Sequence, residues 1–391
     1  MNELYAELNV PLVEKLPALY ALELIAAGRA SFYSSFGSTY NYKLGGRWAP
    51  VEDIALRGTY STAFRAPSIP DLYLGNSDSF DTATDPCGTG VVPGSPQARS
   101  CGAAANNGDE RTQQRARWGG NPKLEPETAK IFTIGAVIRP RSLKNLSFTV
   151  DYFNTKISKT IDAFGTSTIL QGCYPGAPGV APKYCDLVTR DPTTQRITYV
   201  QNLNNNVGQD HVDGLDVTGQ YDIDSPIGEL NLRAAVAYLR RYDRTLADGT
   251  VVRGAGTFDL NQNGRGGAYP HFRWNAGIDW RRGAWSAGIR TLFIGSYKEC
   301  GNSAGRLQGG GLCYAPGHVG ERTVSAYNTW DVVVGYSFQS EAGRTSVSVG
   351  STNLFDVEPP LIYNGGGGTM SDTYSYDMVM RQVYARLAHQ F

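Results

Sequence analysis

Leu230-Asn231-Leu232-Arg233-Ala234-Ala235-Val236-Ala237-Tyr238 decides how this chain is read. Leu230, Leu232, Ala234, Val236 and Tyr238 fall on one face of an extended segment, while Asn231 and Arg233 begin the other. Successive side chains of a strand point to opposite faces, so this alternation marks a sheet with one apolar and one polar side. The pattern returns at Leu146, Phe148, Val150 and Tyr152 against Ser147, Thr149 and Asp151. Phe272, Trp274, Ala276, Ile278 and Trp280 repeat it against Arg273, Asn275, Gly277 and Asp279, and so do Trp330, Val332, Val334, Tyr336 and Phe338. About thirteen such segments occur, with hardly a convincing amphipathic helix. A soluble sandwich would account for any one of them.

The connections discriminate better. Strands are expected near 3–10, 21–34, 38–49, 53–64, 127–140, 145–160, 209–223, 229–242, 271–281, 284–297, 325–339, 343–355 and 376–391. Short links at 50–52, 141–144, 224–228, 282–283 and 340–342 alternate with long ones at about 65–126, 161–208, 243–270, 298–324 and 357–375. Short turns on one side and long loops on the other are the asymmetry of an outer-membrane barrel, and a sandwich has no reason to maintain it. With Phe391 on the periplasmic side, every long link faces outside. Trp280 and Trp285 bracket a tight turn, and Trp48 and Phe338 lie beside short turns, where a periplasmic aromatic girdle belongs.

Composition agrees. Lys+Arg and Asp+Glu both total 36 in 391 residues, which leaves a nucleic-acid partner without electrostatic footing. No uncharged apolar run is long enough for a transmembrane helix; the most apolar stretch, Leu16 to Ala27, is interrupted by Glu23. A barrel needs only alternate residues in lipid, so low hydropathy is no obstacle. The 46 Gly, 23 Tyr and 4 Met lean the same way. Met1 runs straight into an alternating segment with no export signal, so the chain is expected to be a fragment of an exported protein. The six cysteines form three close pairs in Gly/Pro/Ser-rich stretches, Cys87/Cys101, Cys173/Cys185 and Cys300/Cys313. Local loop disulfides in an oxidising compartment are the natural reading, and zinc lacks any C-x-x-C knuckle.

Several short motifs, in order, resemble the barrel of the TonB-dependent receptors. Arg57 to Ser68 (RGTYSTAFRAPS) resembles the family strand ending in an F-R-A-P corner. Asn121-Pro122-Lys123-Leu124-Glu125-Pro126-Glu127 is similar to its N-P-x-L-x-P-E motif. Asp151-Tyr152-Phe153, Gly214-Leu215-Asp216-Val217 and Asn353-Leu354-Phe355-Asp356 fit further family strands, and Tyr376-Asp377 with Arg381 through Phe391 resembles the terminal one. The resemblance implies an all-β fold: an antiparallel, meandering transmembrane barrel, with 1–391 supplying about the last thirteen of 22 strands and the plug absent. It further implies a location in the outer membrane of a Gram-negative bacterium, among its lipids, and a TonB complex engaged through the missing plug. Phe391 ends an alternating strand like those read by the outer-membrane assembly machinery.

Motifs for chemistry are few and incomplete. Gly301-Asn302-Ser303-Ala304-Gly305 has the spacing of a hydrolase elbow but lies in a Gly-rich loop without the strand and helix that elbow needs. Asp259, Asn261 and Asn263, followed by Gly264, match half a calcium loop, yet Pro270 stands where the bidentate Glu should be. His211, Asp213 and Leu215 share a face and Asp216 takes the other, which splits any metal or catalytic group; these read as solvated lumen or rim residues. No cofactor fingerprint is present, and the chain is not read as an enzyme. What remains is a loop surface carrying Tyr73, Trp118, Tyr174, Tyr184, Tyr269, Tyr314 and Tyr363, which suits a small-molecule ligand such as a sugar, peptide or metal chelate and equally suits a loop rim that holds no ligand. A receptor for ferric chelates is expected to gather basic aromatic patches, and none stands out along the sequence. The expected function is energy-coupled uptake of a scarce ligand. A passive porin or an adhesive surface barrel is the alternative.

Overall fold

A computed structural model of the chain describes residues 1–245, 249, 251–259, 267–300, 321–362, 371–373 and 375–391. Thirteen strands make the main sheet. They are β1 (Asn2–Leu16), β2 (Leu19–Tyr33), β3 (Gly37–Val51), β4 (Ile54–Arg65), β5 (Glu127–Ile138), β6 (Leu146–Ala163) and β7 (Asn204–Ser225). After them come β8 (Gly228–Thr245), β9 (Phe272–Arg282), β10 (Trp285–Ile294), β11 (Tyr327–Ser340), β12 (Gly343–Thr352) and β13 (Gln382–Gln390). Each pairs antiparallel with its chain neighbours, a short strand Val251–Arg253 adds to the end of β8, and β1 and β13 form the two edges. Because a meander reverses at every link, the links at 66–126, 164–203, 246–271, 295–326 and 353–381 all leave from one end.

The differences from the sequence reading are local and have causes. β1, expected near 3–10, continues to Leu16, with a register shift between Pro11 and Val13. Proline lacks a donor but is tolerated at bulges, and the register shift beside Pro11 is one. The link after β1 is therefore a tight turn at 17–18. The last strand begins at Gln382, not 376, because Tyr376 is buried in the loop region, its ring 5.1 Å from that of Tyr327. Asn353 explains the interruption: its side-chain amide exchanges two hydrogen bonds of 2.9 Å with the backbone of Val357, holding a corner at φ 47°.

Register carries one apolar face across the sheet. Leu22, Trp48 and Leu56 stand in line on β2 to β4; the same row continues through Ala136, Val150 and Val217, then Val236, Trp274 and Phe293. A lipid-facing wall requires such continuity. The opposite face is polar: Arg47 bonds Glu23 at 2.9 Å, Thr59 meets Thr133 at 2.7 Å, and Arg57 reaches Asp151 at 2.6 Å. Between Arg57 and Asp151 stands Gly135, whose added Cβ would fall 2.8 Å from the Asp151 carboxyl carbon, so the missing side chain leaves room for that bridge. At the short-turn end, the indole N–H of Trp48 donates to the Ala18 carbonyl at 3.2 Å and that of Trp280 to the Ile227 carbonyl at 2.8 Å. Trp285 packs against Tyr336 at 4.9 Å. Rings facing apolar surroundings with their polar tips tied to turn backbone suit a membrane interface.

A spanning strand needs about 9–11 residues. β6, β7 and β8 have 18, 22 and 18, so their far ends project beyond the bilayer and carry the large loops.

Candidate functional site

Two of the long loops fold together. From 66–126 come the strands Ser77–Thr82 and Gln113–Trp118, and from 164–203 come Val188–Arg190 and Ile197–Gln201. All four form one sheet, in which Gln113–Trp118 pairs parallel with Ile197–Gln201. The first loop also contains helices α1 (Ile69–Tyr73) and α2 (Pro96–Cys101), the second α3 (Thr166–Cys173). Ala83, Ile169, Leu170, Ile197 and Val200 are the buried core of this lobe. Its base is clamped where the two sequence motifs meet: Arg65 donates to both carboxylate oxygens of Glu127 at 2.8 and 2.6 Å and also to Asp71 at 3.2 Å. Asp71 in turn completes a capping box with Ser68 on α1.

Disulfides join Cys87 to Cys101 and Cys173 to Cys185, across separations of 14 and 12 residues. Loops of this length are each expected to stabilise the lobe by about 3 kcal/mol. Replacing Cys173 and Cys185 by Ser should therefore speed proteolysis within 164–203 while leaving the strands protected; unchanged cleavage would refute a stapling role. The pairing of Cys300 with Cys313 falls outside the described residues, as do Asn261 and Asn263 of the calcium half-loop and Ser303 of the elbow pattern. Asp259 itself closes the short strand Phe258–Asp259, paired with Gly267–Ala268.

Inside the lobe sits a closed electrostatic knot. Arg190 donates to both oxygens of Asp85 at 2.6 and 2.7 Å, and its Nε donates to the Tyr174 hydroxyl at 2.8 Å. The guanidinium carbon stands 4.7 Å from the Tyr174 ring centroid. The Asp85 side chain is 0% exposed. Burial opposes its ionisation, but hydrogen bonds from Arg190, Asn107 and the Cys87 backbone outweigh burial and hold the carboxyl below its usual range. Sequence reading missed both residues; they lie in different loops, and no local pattern links them.

The solvent side of the same sheet gathers a different set. Phe80 stands opposite Arg115 and Asp78 opposite Arg117, while Tyr199 comes from the neighbouring strand. Arg117 lies over the Tyr199 ring, 4.5 Å from its centroid, and Phe80 is 67% exposed. Asp78 bonds Arg115 closely and Arg117 at 3.3 Å, and the Arg115 contact holds its carboxyl below the ordinary range. Two arginines and two rings around one carboxylate make a basic aromatic patch, a feature that did not stand out in the sequence because two loops supply it.

A second lobe forms from the later links. Phe258, Tyr297, Val324, Tyr327, Ile362 and Tyr376 are buried together. The Asp372 carboxylate accepts a hydrogen bond from the Ala268 backbone at 3.0 Å.

The loop aromatics do not share one surface. Trp118 is partly buried and donates to Asp81 at 3.2 Å. Tyr174 and Tyr184 pack against the core of the first lobe, Tyr184 with its ring 4.6 Å from that of Phe164. Tyr269 packs on Tyr242 at 4.6 Å in the other loop group. Tyr73, 60% exposed at the end of α1, is open to solvent. Tyr314 and Tyr363 lie outside the described residues.

A TonB dependent receptor-like β-barrel family model matches residues 2–354. The siderophore receptor PirA from Acinetobacter baumannii is similar at a TM-score of 0.60 and 16% identity, over 100% of this chain and 46% of that one. A mutant of the ferric enterobactin receptor PfeA from Pseudomonas aeruginosa is similar at 0.62 and 16%, over 100% and 44%. A second PfeA mutant, in complex with enterobactin, gives 0.61 and 16% over 98% and 44%. The chain thus spans less than half the length of these receptors. No curated protein matches it.

Proposed function

The chain belongs to the TonB-dependent receptor β-barrel family, and on that premise we propose that it is an outer-membrane receptor barrel serving energy-coupled uptake of a scarce small ligand. The family is one of receptors and transporters, and its members are proteins of the Gram-negative outer membrane. One observation carries the proposal: every long link leaves from the same end of a sheet with one apolar and one polar face, and the described parts of those links pack around buried cores. A passive pore has little use for stapled, cored loops, whereas a receptor needs a preorganised surface for capture. Energy reaches this membrane from the inner one through the TonB complex.

The patch of Arg115, Arg117, Phe80 and Tyr199 favours an anionic ligand with aromatic groups, through charge-assisted hydrogen bonds and ring stacking. An anionic aromatic metal chelate fits that chemistry, and the siderophore receptors of the same fold support it. Phe391, fully exposed after β13, is the proposed signal to the assembly machinery. Uptake of labelled ferric catecholate chelates should be lost when TonB is deleted. It should fall about tenfold or more at limiting ligand in Arg115→Ala/Arg117→Ala, where two charged hydrogen-bonding groups are removed. Uptake indifferent to TonB would indicate a porin, and absence of uptake with intact surface adhesion would indicate an adhesin.

A further inference from the structure

The patch of Phe80, Arg115, Arg117 and Tyr199 treats its two arginines differently. Arg115 and Arg117 stand two positions apart on the strand Gln113–Trp118, so both side chains rise from the solvent side of the lobe sheet. In the register with Ser77–Thr82, Asp78 lies directly opposite Arg117, and Phe80 directly opposite Arg115. Residues directly opposite each other are the natural cross-strand partners, which would give Asp78 to Arg117. The carboxylate leans diagonally instead. Its Oδ2 accepts from Nε of Arg115 at 3.2 Å and more closely from Nη2, while Oδ1 accepts only from Nε of Arg117, at 3.3 Å.

The two guanidinium forks are therefore spent unequally. Arg115 commits two donors to Asp78. Arg117 commits one, and its Nη1 and Nη2 have no hydrogen-bond partner among the described residues. Its guanidinium carbon stands 4.5 Å from the Tyr199 ring centroid, so stacking fixes the plane in which those two donors point. A fixed pair of parallel donors, with a ring beneath it and the exposed Phe80 ring on the neighbouring strand, fits a planar two-oxygen anion carried on an aromatic ring, such as a carboxylate or catecholate. Asp78 balances one of the two guanidinium charges, and one such anion balances the other. Without Arg115, the Asp78 carboxylate would turn to the fork directly opposite it and fill the place of the anion.

We propose that Arg117 is the ligand contact of this patch and that Arg115 is a positioning residue, which draws the Asp78 carboxylate off the Arg117 fork. The inference rests on the reading of the patch as a capture surface for an anionic aromatic ligand. It divides roles within that surface: Arg117 supplies the contact, Tyr199 orients it, and Arg115 acts only through Asp78.

Two measurements on the protein in its own outer membrane separate these roles, one with ligand and one without. Binding of labelled ferric catecholate to de-energised outer-membrane vesicles should fall about tenfold in Arg117→Ala, which removes a charge-assisted bidentate contact. Arg115→Ala should lose as much, and Arg115→Ala/Asp78→Asn should recover to within about threefold of wild type. Arg115→Lys, which still holds Asp78, should recover most of the binding, whereas Arg117→Lys keeps the charge without the fork and should stay weak. Without ligand, phenylglyoxal, which attacks the terminal nitrogens of a guanidinium, should label Arg117 faster than Arg115, as read by peptide mass spectrometry. Labelling of Arg117 should slow several-fold in Arg115→Ala and return in Arg115→Ala/Asp78→Asn. Heat-modifiable migration in detergent gels and protease resistance of 66–126, unchanged in every variant, establish that barrel and lobe are folded. Wild type that binds no ferric catecholate but shows this labelling pattern would overturn the choice of ligand and uphold the role of Arg115. Equal labelling of Arg117 in wild type and Arg115→Ala, or a loss in Arg115→Ala that Asp78→Asn does not recover, would overturn the proposal, because Arg115 would then meet the ligand itself.

Discussion

Arg190→Met is expected to destabilise the first loop lobe by about 3–5 kcal/mol, because it leaves the Asp85 carboxylate buried without its cation. The wild-type arrangement is two-pronged, dry and closed by Tyr174 beneath the guanidinium. Removing one partner costs more than the pair contributes, so Asp85→Leu/Arg190→Met should recover much of the loss. The pH dependence carries the same signature. In the native lobe the Asp85 carboxyl is held below its usual range, so its contribution is complete above the unfolded value, about 3.9, and disappears as pH falls through the lower folded value. Hydrogen exchange in 83–112 and 185–201 should therefore be flat between pH 7 and 5 after correction for intrinsic rates. In Arg190→Met the sign reverses: a buried carboxyl without a cation titrates higher, and protection should improve on acidification. Equal protection in wild type and variant at pH 7 would show that the knot does not hold the lobe.

That knot also marks where sequence reading stopped. The thirteen strands were legible because alternation persists through segments such as Leu230 to Tyr238, and link length needed no side-chain detail. The corner motifs were legible as motifs, but the Arg65–Glu127 clamp that makes them useful appears only when β4 and β5 are paired. The lobes were not legible. Their strands are short, one pairing is parallel and joins separate loops, and Asp85 lies 105 residues from Arg190. Hence Trp118, Tyr174 and Tyr184, taken as surface for a ligand, are half-buried, the two tyrosines against the core of the lobe, while Arg117 and Tyr199 meet unannounced. His211 and Asp213 were placed on the face of Leu215. Val217 and Val150 continue that face, which makes it the apolar side of the sheet.

Val217→Arg/Val236→Arg should abolish accumulation of folded protein in the outer membrane. The two valines face each other on β7 and β8, in the apolar row that runs from Leu22 to Phe293. An arginine near the bilayer midplane of a barrel costs about 2–4 kcal/mol, so the pair costs roughly twice that, with repulsion between facing charges added. This is comparable to the whole stability of many domains, so the protein should appear in periplasmic aggregates or be degraded. Thr218→Arg/Ala235→Arg is the matched control: these residues also face each other, one position along, on the polar side of the same strands. A polar lumen face accepts arginine at far less cost than lipid does, so that variant should reach the membrane and migrate as a folded barrel. The contrast depends only on parity. If both pairs were tolerated, or both lethal, the apolar row would not be facing lipid, and the assignment of inner and outer faces would be wrong.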